Sequence, residues 1–215
     1  MNNIATDTAN PGKKRIIQLP VNEENPVSDL RIGDIIFITG ILATGRDDVH
    51  HRFVDEKIPL PFDLRGGAIF HAGPIITEKN GKHELVSIGP TSSVRMEAWS
   101  ADFIGKSGVK IMIGKGGMGA GTAADCRAYG AIHCVYPGGC AVLGASQILS
   151  VEEACWPDLG MPEALWIMKA RELGPLIVSI DTCGNNLFAE NTRLYSERSV
   201  DCIKPIAEFI QEGTF

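Results

Sequence analysis

Residues 109–136 read VKIMIGKGGMGAGTAADCRAYGAIHCVY, and this stretch decides the fold. Residues 109–113 (VKIMI) have the apolar, β-branched character of a buried strand, which breaks into the glycine-rich turn GKGGMGAG. Residues 122–129 predict a helix. Residues 131–136 (AIHCVY) return as a strand and stop at Pro137, Gly138 and Gly139. A strand, a crossover helix and a second strand cannot close as a tight hairpin, so the two strands are expected to pair in parallel.

Toward the C-terminus, a small-residue helix is predicted over residues 140–149 and a last clear strand over 176–181 (LIVSID). A closing helix follows, whose apolar face is Ile203, Ile206, Ala207 and Ile210. Toward the N-terminus, strands are predicted at residues 34–39 (DIIFIT, ending at Gly40), 68–72 (AIFHA, before Gly73-Pro74) and 84–88 (ELVSI, running into Gly89-Pro90). Met96, Trp99 and Phe103 recur at helical spacing within 94–104. The strands of the first third are separated by Gly and Pro loops with little helix, which predicts antiparallel pairing there. The expected fold is α/β, with mixed parallel and antiparallel sheet and helices on one side. Residues 27–215 form one domain in this reading. Residues 1–26, polar and bracketed by prolines, form an arm ordered only by contact with something else.

The chain has 215 residues, 44% hydrophobic and 21% charged, enough to bury a core without disulfides. A net charge of −6 argues against a nucleic-acid partner, which selects for a basic face. No apolar run is long enough to span a bilayer, and the N-terminus lacks the apolar stretch of a secretory signal, so a cytoplasmic protein is expected. Six cysteines, at 126, 134, 140, 155, 183 and 202, form no CxxC pair and no compact ligand set; they are expected to be reduced and partly buried.

Gly114, Gly116 and Gly119 spell GxGxxG between a strand and a helix, the form of a dinucleotide fingerprint. That fingerprint also needs an acid about twenty positions on, and no Asp or Glu lies between Asp125 and Glu152. What survives is a helix start with Lys115 beside it, a place suited to an anion. A second loop carries Thr44-Gly45-Arg46-Asp47 and then His50, His51 and Arg52. It is either a solvated polar loop or a place where the planar fork of Arg46 meets a carboxylate. A third, Gly89-Pro90-Thr91-Ser92-Ser93-Val94-Arg95, offers Thr91 or Ser92 as an ordinary helix cap. Arg95 in a first helical turn opposes the helix dipole, which favours an anion there. Arg46, Arg95 and Lys115 thus each sit on a loop after a strand, a supply of cations suited to a small dianion.

These segments resemble the β-type chain of the iron–sulfur hydro-lyases, the group of class I fumarases and L(+)-tartrate dehydratases. The stretches that carry the resemblance are GDIIFITG, TGRDDVHHR, FHAGPI, GPTSSVRME, GKGGMG, GMPE between Trp156 and Trp166, and SIDTCGNNLFAEN. The GNNLFAEN ending is closest to the tartrate dehydratase side. The resemblance implies a swivelling three-layer β/β/α domain and dehydration of a 2-hydroxy dicarboxylate, L(+)-tartrate to oxaloacetate first, with malate and fumarate as the alternative pair. It implies a [4Fe–4S] cluster carried by a partner α subunit in an α2β2 assembly, with no metal held by this chain. It assigns Thr91 as the catalytic base and Arg46, Ser92, Arg95 and Lys115 to substrate binding. A threonine hydroxyl is a poor base unaided, and His50 is a candidate to take its proton, against a purely structural role for it. Cys183 stands where the family often has His, and Ser92-Ser93 where Thr-Ala or Thr-Ser is common. Two further readings remain open from the residues: a stand-alone dianion-binding or cluster-carrying protein, and a nicotinamide-dependent oxidoreductase.

Overall fold

The computed structural model describes residues 15–24 and 26–211. The strands are β1 (Arg15–Gln18), β2 (Ile35–Thr44), β3 (Ala68–Phe70), β4 (Ala72–Lys79), β5 (Lys82–Pro90), β6 (Ile111–Gly114), β7 (Ile132–Val135), β8 (Ile148–Cys155) and β9 (Leu165–Ile180). The helices are α1 (Asp47–Val54), α2 (Ser100–Ser107), α3 (Ala120–Tyr129), α4 (Ala141–Ser146) and α5 (Leu187–Gln211), with 3-10 turns at Ser93–Trp99 and Pro157–Leu159.

A seven-stranded sheet runs in the order β1-β2-β3-β6-β7-β9-β8, and β2 also pairs with β9. Strands β2, β3, β6, β7 and β9 therefore close into a circuit. Pairing is parallel from β1 through β7 and antiparallel wherever β9 takes part. Strands β4 and β5 form a separate antiparallel hairpin. The parallel pair expected from residues 109–136 is thus β6 and β7, with Ile113 opposite Cys134. The antiparallel pairing expected of the first third holds for the hairpin but not for β1, β2 and β3, whose connections contain a crossover of their own through α1.

Alternation along each strand divides the core in two. Phe70, Ile111, Ile113, Ile132 and Cys134 face one cluster together with Tyr136, Trp166 and Met168. Ile69 and Met112 face the other, under Val49 of α1, Phe103 and Ile104 of α2 and Ala123 and Cys126 of α3. Period two in the strands and burial on both faces explain the near-continuous apolar runs.

Several boundaries differ from those predicted. Strand β2 does not end at Gly40 but bends there: the residue has φ +129, and a Cβ would lie 2.8 Å from the Leu19 carbonyl oxygen. Only glycine admits both the conformation and the close approach. The helix predicted over 94–104 divides into a 3-10 turn and α2 at Trp99. The helix predicted over 140–149 stops at Ser146, and β8 follows as an edge strand with Ser150, Glu152 and Glu153 along it. Strand β9 is far longer than residues 176–181, because Lys169 and Arg171 interrupt its apolar run while their neighbours stay buried. Within the segment read as an arm, residues 15–18 are β1, with Ile17 buried; residues 1–14 lie outside those described. Ile203 on α5 is exposed, and the side chains of Ile206, Ala207 and Ile210 lie outside the described set.

Candidate active site

Arg46 and Lys115 lie on loops leaving the carboxyl ends of parallel strands, the usual place for a ligand in such a sheet, and Thr91, Ser92 and Arg95 follow the hairpin strand β5. Arg46 follows β2 and occupies the cap position of α1. Thr91 and Ser92 follow β5, and Lys115 follows β6. The last two loops are tied by the backbone. The Lys115 N–H donates to the Thr91 carbonyl at 3.0 Å, the Ser93 N–H donates to the Lys115 carbonyl at 3.1 Å, and Ser92 and Lys115 form a parallel bridge. Thr91 is also tied to the end of β3, since its N–H donates to the His71 carbonyl at 2.7 Å.

The two arginines meet through acids that the sequence reading did not single out. The Arg46 guanidinium lies 3.0 Å from Glu163, with Nη1 against Gly73 at the start of the hairpin. Its Nε is buried and has no partner among the described residues. Arg95 grips Asp47 with two donors, Nε at 2.9 Å and an Nη2 contact. Because Asp47 is the chain neighbour of Arg46, this fork draws the 3-10 turn onto the start of α1. Arg95 holds the Asp47 carboxyl below the usual carboxylate range. Glu163 is raised instead: burial outweighs the pull of Arg46 and of the Asp48 N–H. The pairing with Arg46 and the upward shift coexist because the carboxylate is largely cut off from water.

The capping role open to Thr91 or Ser92 is not used. Ser92 stands at the cap of the 3-10 turn and no side-chain hydrogen bond is made there. At the glycine-rich turn an acid from within the chain meets part of the helix start. The Glu97 carboxylate accepts from the Gly119 N–H at 2.8 Å, the Thr122 N–H at 3.0 Å and the Thr122 hydroxyl at 2.7 Å. It therefore serves as the N-terminal counter-charge of α3 and stands where a dinucleotide phosphate would sit. His50 is in the core, its Nδ1 2.8 Å from the Arg46 carbonyl oxygen and its ring stacked 4.1 Å from Phe103. Burial pushes its pKa down to about 4, so it is a neutral support under Arg46.

Cys126, Cys134 and Cys155 are buried and Cys140 is partly so, whereas Cys183 is exposed and the Cys202 side chain lies outside those described. Burial raises the Cys126 thiol to about 12 and Cys155 to about 11, and raises Cys134 further still. Among the described residues no three His, Cys, Asp or Glu side chains are grouped to hold a metal. The described residues therefore do not fit a [4Fe–4S] cluster. Buried Asp181 accepts from the Cys183 and Asn185 N–H groups at 2.9 and 3.1 Å, so only the backbone of Cys183 is used in this turn. Asn186 caps α5, accepting from the Phe188 and Ala189 N–H groups, and donates to the Met118 carbonyl at 2.8 Å. Among the described residues no helix is long and apolar enough to cross a membrane.

The family model described as Fumarase C-terminus matches residues 2–191, and the chain belongs to that family. It is 49% identical over 197 residues to the L(+)-tartrate dehydratase subunit beta of Escherichia coli (strain K12), covering 92% of this chain and 98% of that protein. It is 38% identical over 176 residues to the putative L(+)-tartrate dehydratase subunit beta of Methanocaldococcus jannaschii, covering 80% and 90%. It is 33% identical over 197 residues to the putative fumarate hydratase class I of Geobacillus stearothermophilus, covering 90% of this chain but 38% of that longer protein.

Proposed function

We propose that this chain is the β subunit of an iron–sulfur hydro-lyase that dehydrates a 2-hydroxy dicarboxylate, L(+)-tartrate to oxaloacetate and water. The observations that support the reading are the backbone tie between Thr91 and Lys115 and the Arg95–Asp47 pair next to Arg46, in a member of this family. In this reading the domain is the swivelling three-layer β/β/α unit of residues 27–215 behind an arm of residues 1–26. It works in the cytoplasm with an α subunit, as α2β2, and the α subunit carries the [4Fe–4S] cluster. The cluster would supply Lewis acidity toward the departing hydroxyl.

The residues of this chain serve the other end of the substrate. A C–H next to a carboxylate is very weakly acidic, and its removal leaves additional negative charge beside one already present. Fixed cations in a water-poor site stabilise that charge. Arg46 has a buried Nε free to donate, and the Arg95 fork matches a carboxylate in shape, as its grip on Asp47 already illustrates. Lys115 adds a point charge and Ser92 a hydroxyl beside it. Thr91, placed between the His71 carbonyl and the Lys115 N–H, offers the oxygen that takes the substrate proton once it has passed its own proton to a neighbouring base. The experiment is a dehydration assay of this chain reconstituted with its α partner across L(+)-tartrate, malate and methylated relatives. L(+)-tartrate is expected to give the highest kcat/KM. Turnover of malate and fumarate alone would instead make the chain a class I fumarase β subunit, a reading favoured by the resemblance to the Geobacillus protein. Dicarboxylate binding with no turnover of any acid would make it a stand-alone binding protein and overturn the proposal.

A further inference from the structure

We propose that His71 is a positioning residue for the reaction: with the Ser93 hydroxyl, in space left by Gly114, it forms a buried latch that fixes Thr91 relative to Lys115. This rests on the reading of Thr91 as the base. His71 is the single residue between β3 and β4. Its N–H donates to the Ile113 carbonyl at 2.7 Å and its own carbonyl receives the Thr91 N–H at 2.7 Å. Its Nδ1 lies 2.9 Å from the Ser93 hydroxyl oxygen. One residue therefore holds the 91–93 segment at both ends, by main chain at Thr91 and by side chain at Ser93. On the opposite side, among the described residues, the same segment is held through the backbone of Lys115.

His71 and Ser93 are both fully buried. A buried hydroxyl and imidazole are costly unless paired: the Ser93 contact satisfies Nδ1, while Nε2 has no partner among the described residues. Gly114 shows that the space is reserved for the latch. A Cβ at residue 114 would lie 1.8 Å from the Ser93 oxygen and 3.2 Å from the His71 Nδ1. The first glycine of GKGGMG is thus explained by the Ser93 hydroxyl. The imidazole is flanked by the His50 ring at 5.2 Å and the His133 ring at 6.4 Å, and burial together with these neighbours keeps it neutral. Either neutral tautomer can pair with the Ser93 hydroxyl, as donor or as acceptor. A base displaced by about 1 Å can lose on the order of a hundredfold in rate, so a latch on one side of Thr91 has catalytic weight without touching substrate.

The test uses the enzyme reconstituted with its α partner. Ser93→Ala is expected to lower kcat about tenfold or more while KM stays within about twofold, the pattern of a group that acts in the transition state. His71→Asn puts an amide atom where Nδ1 lies, whereas His71→Gln reaches toward Nε2. Asn is expected to keep most of the turnover and Gln to behave like Ser93→Ala. Combining Ser93→Ala with His71→Gln should cost no more than either alone. Wild-type kcat in Ser93→Ala, equal losses in Asn and Gln, or additive losses in the double variant would overturn the latch. If the His71 variants fail to fold, the kcat and KM of Ser93→Ala decide alone. An imidazole nitrogen NMR spectrum of the isolated chain separates this from the reaction itself. The His71 Nδ1 resonance should move in Ser93→Ala and the His133 resonance should not; an unmoved His71 signal sinks the latch. If the wild-type pair dehydrates none of the acids, the reaction reading fails, and the spectrum still judges the hydrogen bond.

Discussion

Two helices begin directly beyond parallel strands, α1 after β2 and α3 after β6, and they treat their positive ends differently. Helix α3 has no acid in its first turn and borrows Glu97, which accepts from the Gly119 and Thr122 N–H groups. Helix α1 carries its own acids, Asp47 and Asp48. Asp47 is spent on holding Arg95 beside Arg46 rather than on closing the rim. The lesson is that a glycine-rich turn before a helix does not by itself make an anion site. Here the helix start after the more glycine-rich turn meets an acid from within the chain, and the plainer one brings Arg95 beside Arg46.

The comparison breaks first at Thr91. Thr91→Val in the reconstituted enzyme is expected to cut turnover by about 10²–10⁴, the usual loss on removing a general base. The melting temperature should hardly change, because no side-chain cap is made at this turn. Thr91→Ser keeps the hydroxyl and should retain a measurable part of the rate. Near-normal turnover in the valine variant would remove the base from the rim, while a serine variant as inactive as valine would show that the methyl group matters.

Acid sharpens the comparison next, because each region rests on a buried neutral histidine. Burial lowers His50 under α1 to about 4, and lowers His133 to about 4 against the opposing pull of Glu97. A depressed histidine pKa means that the unfolded chain binds the proton more readily. The stability from these rings is therefore full above about pH 6.5 and is lost as pH falls toward 4, on the order of 3 kcal/mol per ring. Calorimetric melting temperatures should drop through that window; a flat profile would mean that the rings are already charged or exposed.

Arg95→Lys keeps the charge but loses the two-donor fork. About a tenfold loss in kcat/KM is expected, with a stability change below about 1 kcal/mol, since the Asp47 pair is partly exposed. An unchanged rate with a lowered melting temperature would reduce Arg95 to a structural partner of Asp47. The smallest effect on catalysis is expected from Glu97→Gln. It should cost about 1–3 kcal/mol of stability, as charge-assisted bonds at the start of α3 weaken, with turnover unchanged below the melting range. A large loss of rate would mean that the helix start met by Glu97 belongs to the site.

The β6–α3–β7 core was legible because apolar runs, a glycine-rich turn and a Pro-Gly-Gly stop mark each boundary locally. Strand β8 and the first half of β9 were not. Strand β8 is an edge, polar enough to hide its period, and β9 bends at Glu172 and Gly174, both at positive φ, so its two halves read as separate pieces. In the site, the three cations could be picked out one by one, since each follows a strand. Their partners could not: Glu163 reaches Arg46 from a loop distant in sequence, and Glu97 looks like an ordinary helix-surface acid until α3 is placed against it. The Ser93–Gly114 complementarity exists only in three dimensions, and GxGxxG spacing points instead toward a nucleotide.

The central claim is that this chain supplies one half of a catalytic site, the cation-lined half, and that a cluster-bearing partner supplies the other. It is tested most directly by measuring iron, inorganic sulfide and L(+)-tartrate dehydration in the same anaerobic samples, first of this chain alone and then of its mixture with the α subunit. The account predicts a metal-free, inactive chain that turns over tartrate once mixed. Stoichiometric iron and sulfide in the chain alone, accompanied by turnover, would contradict it.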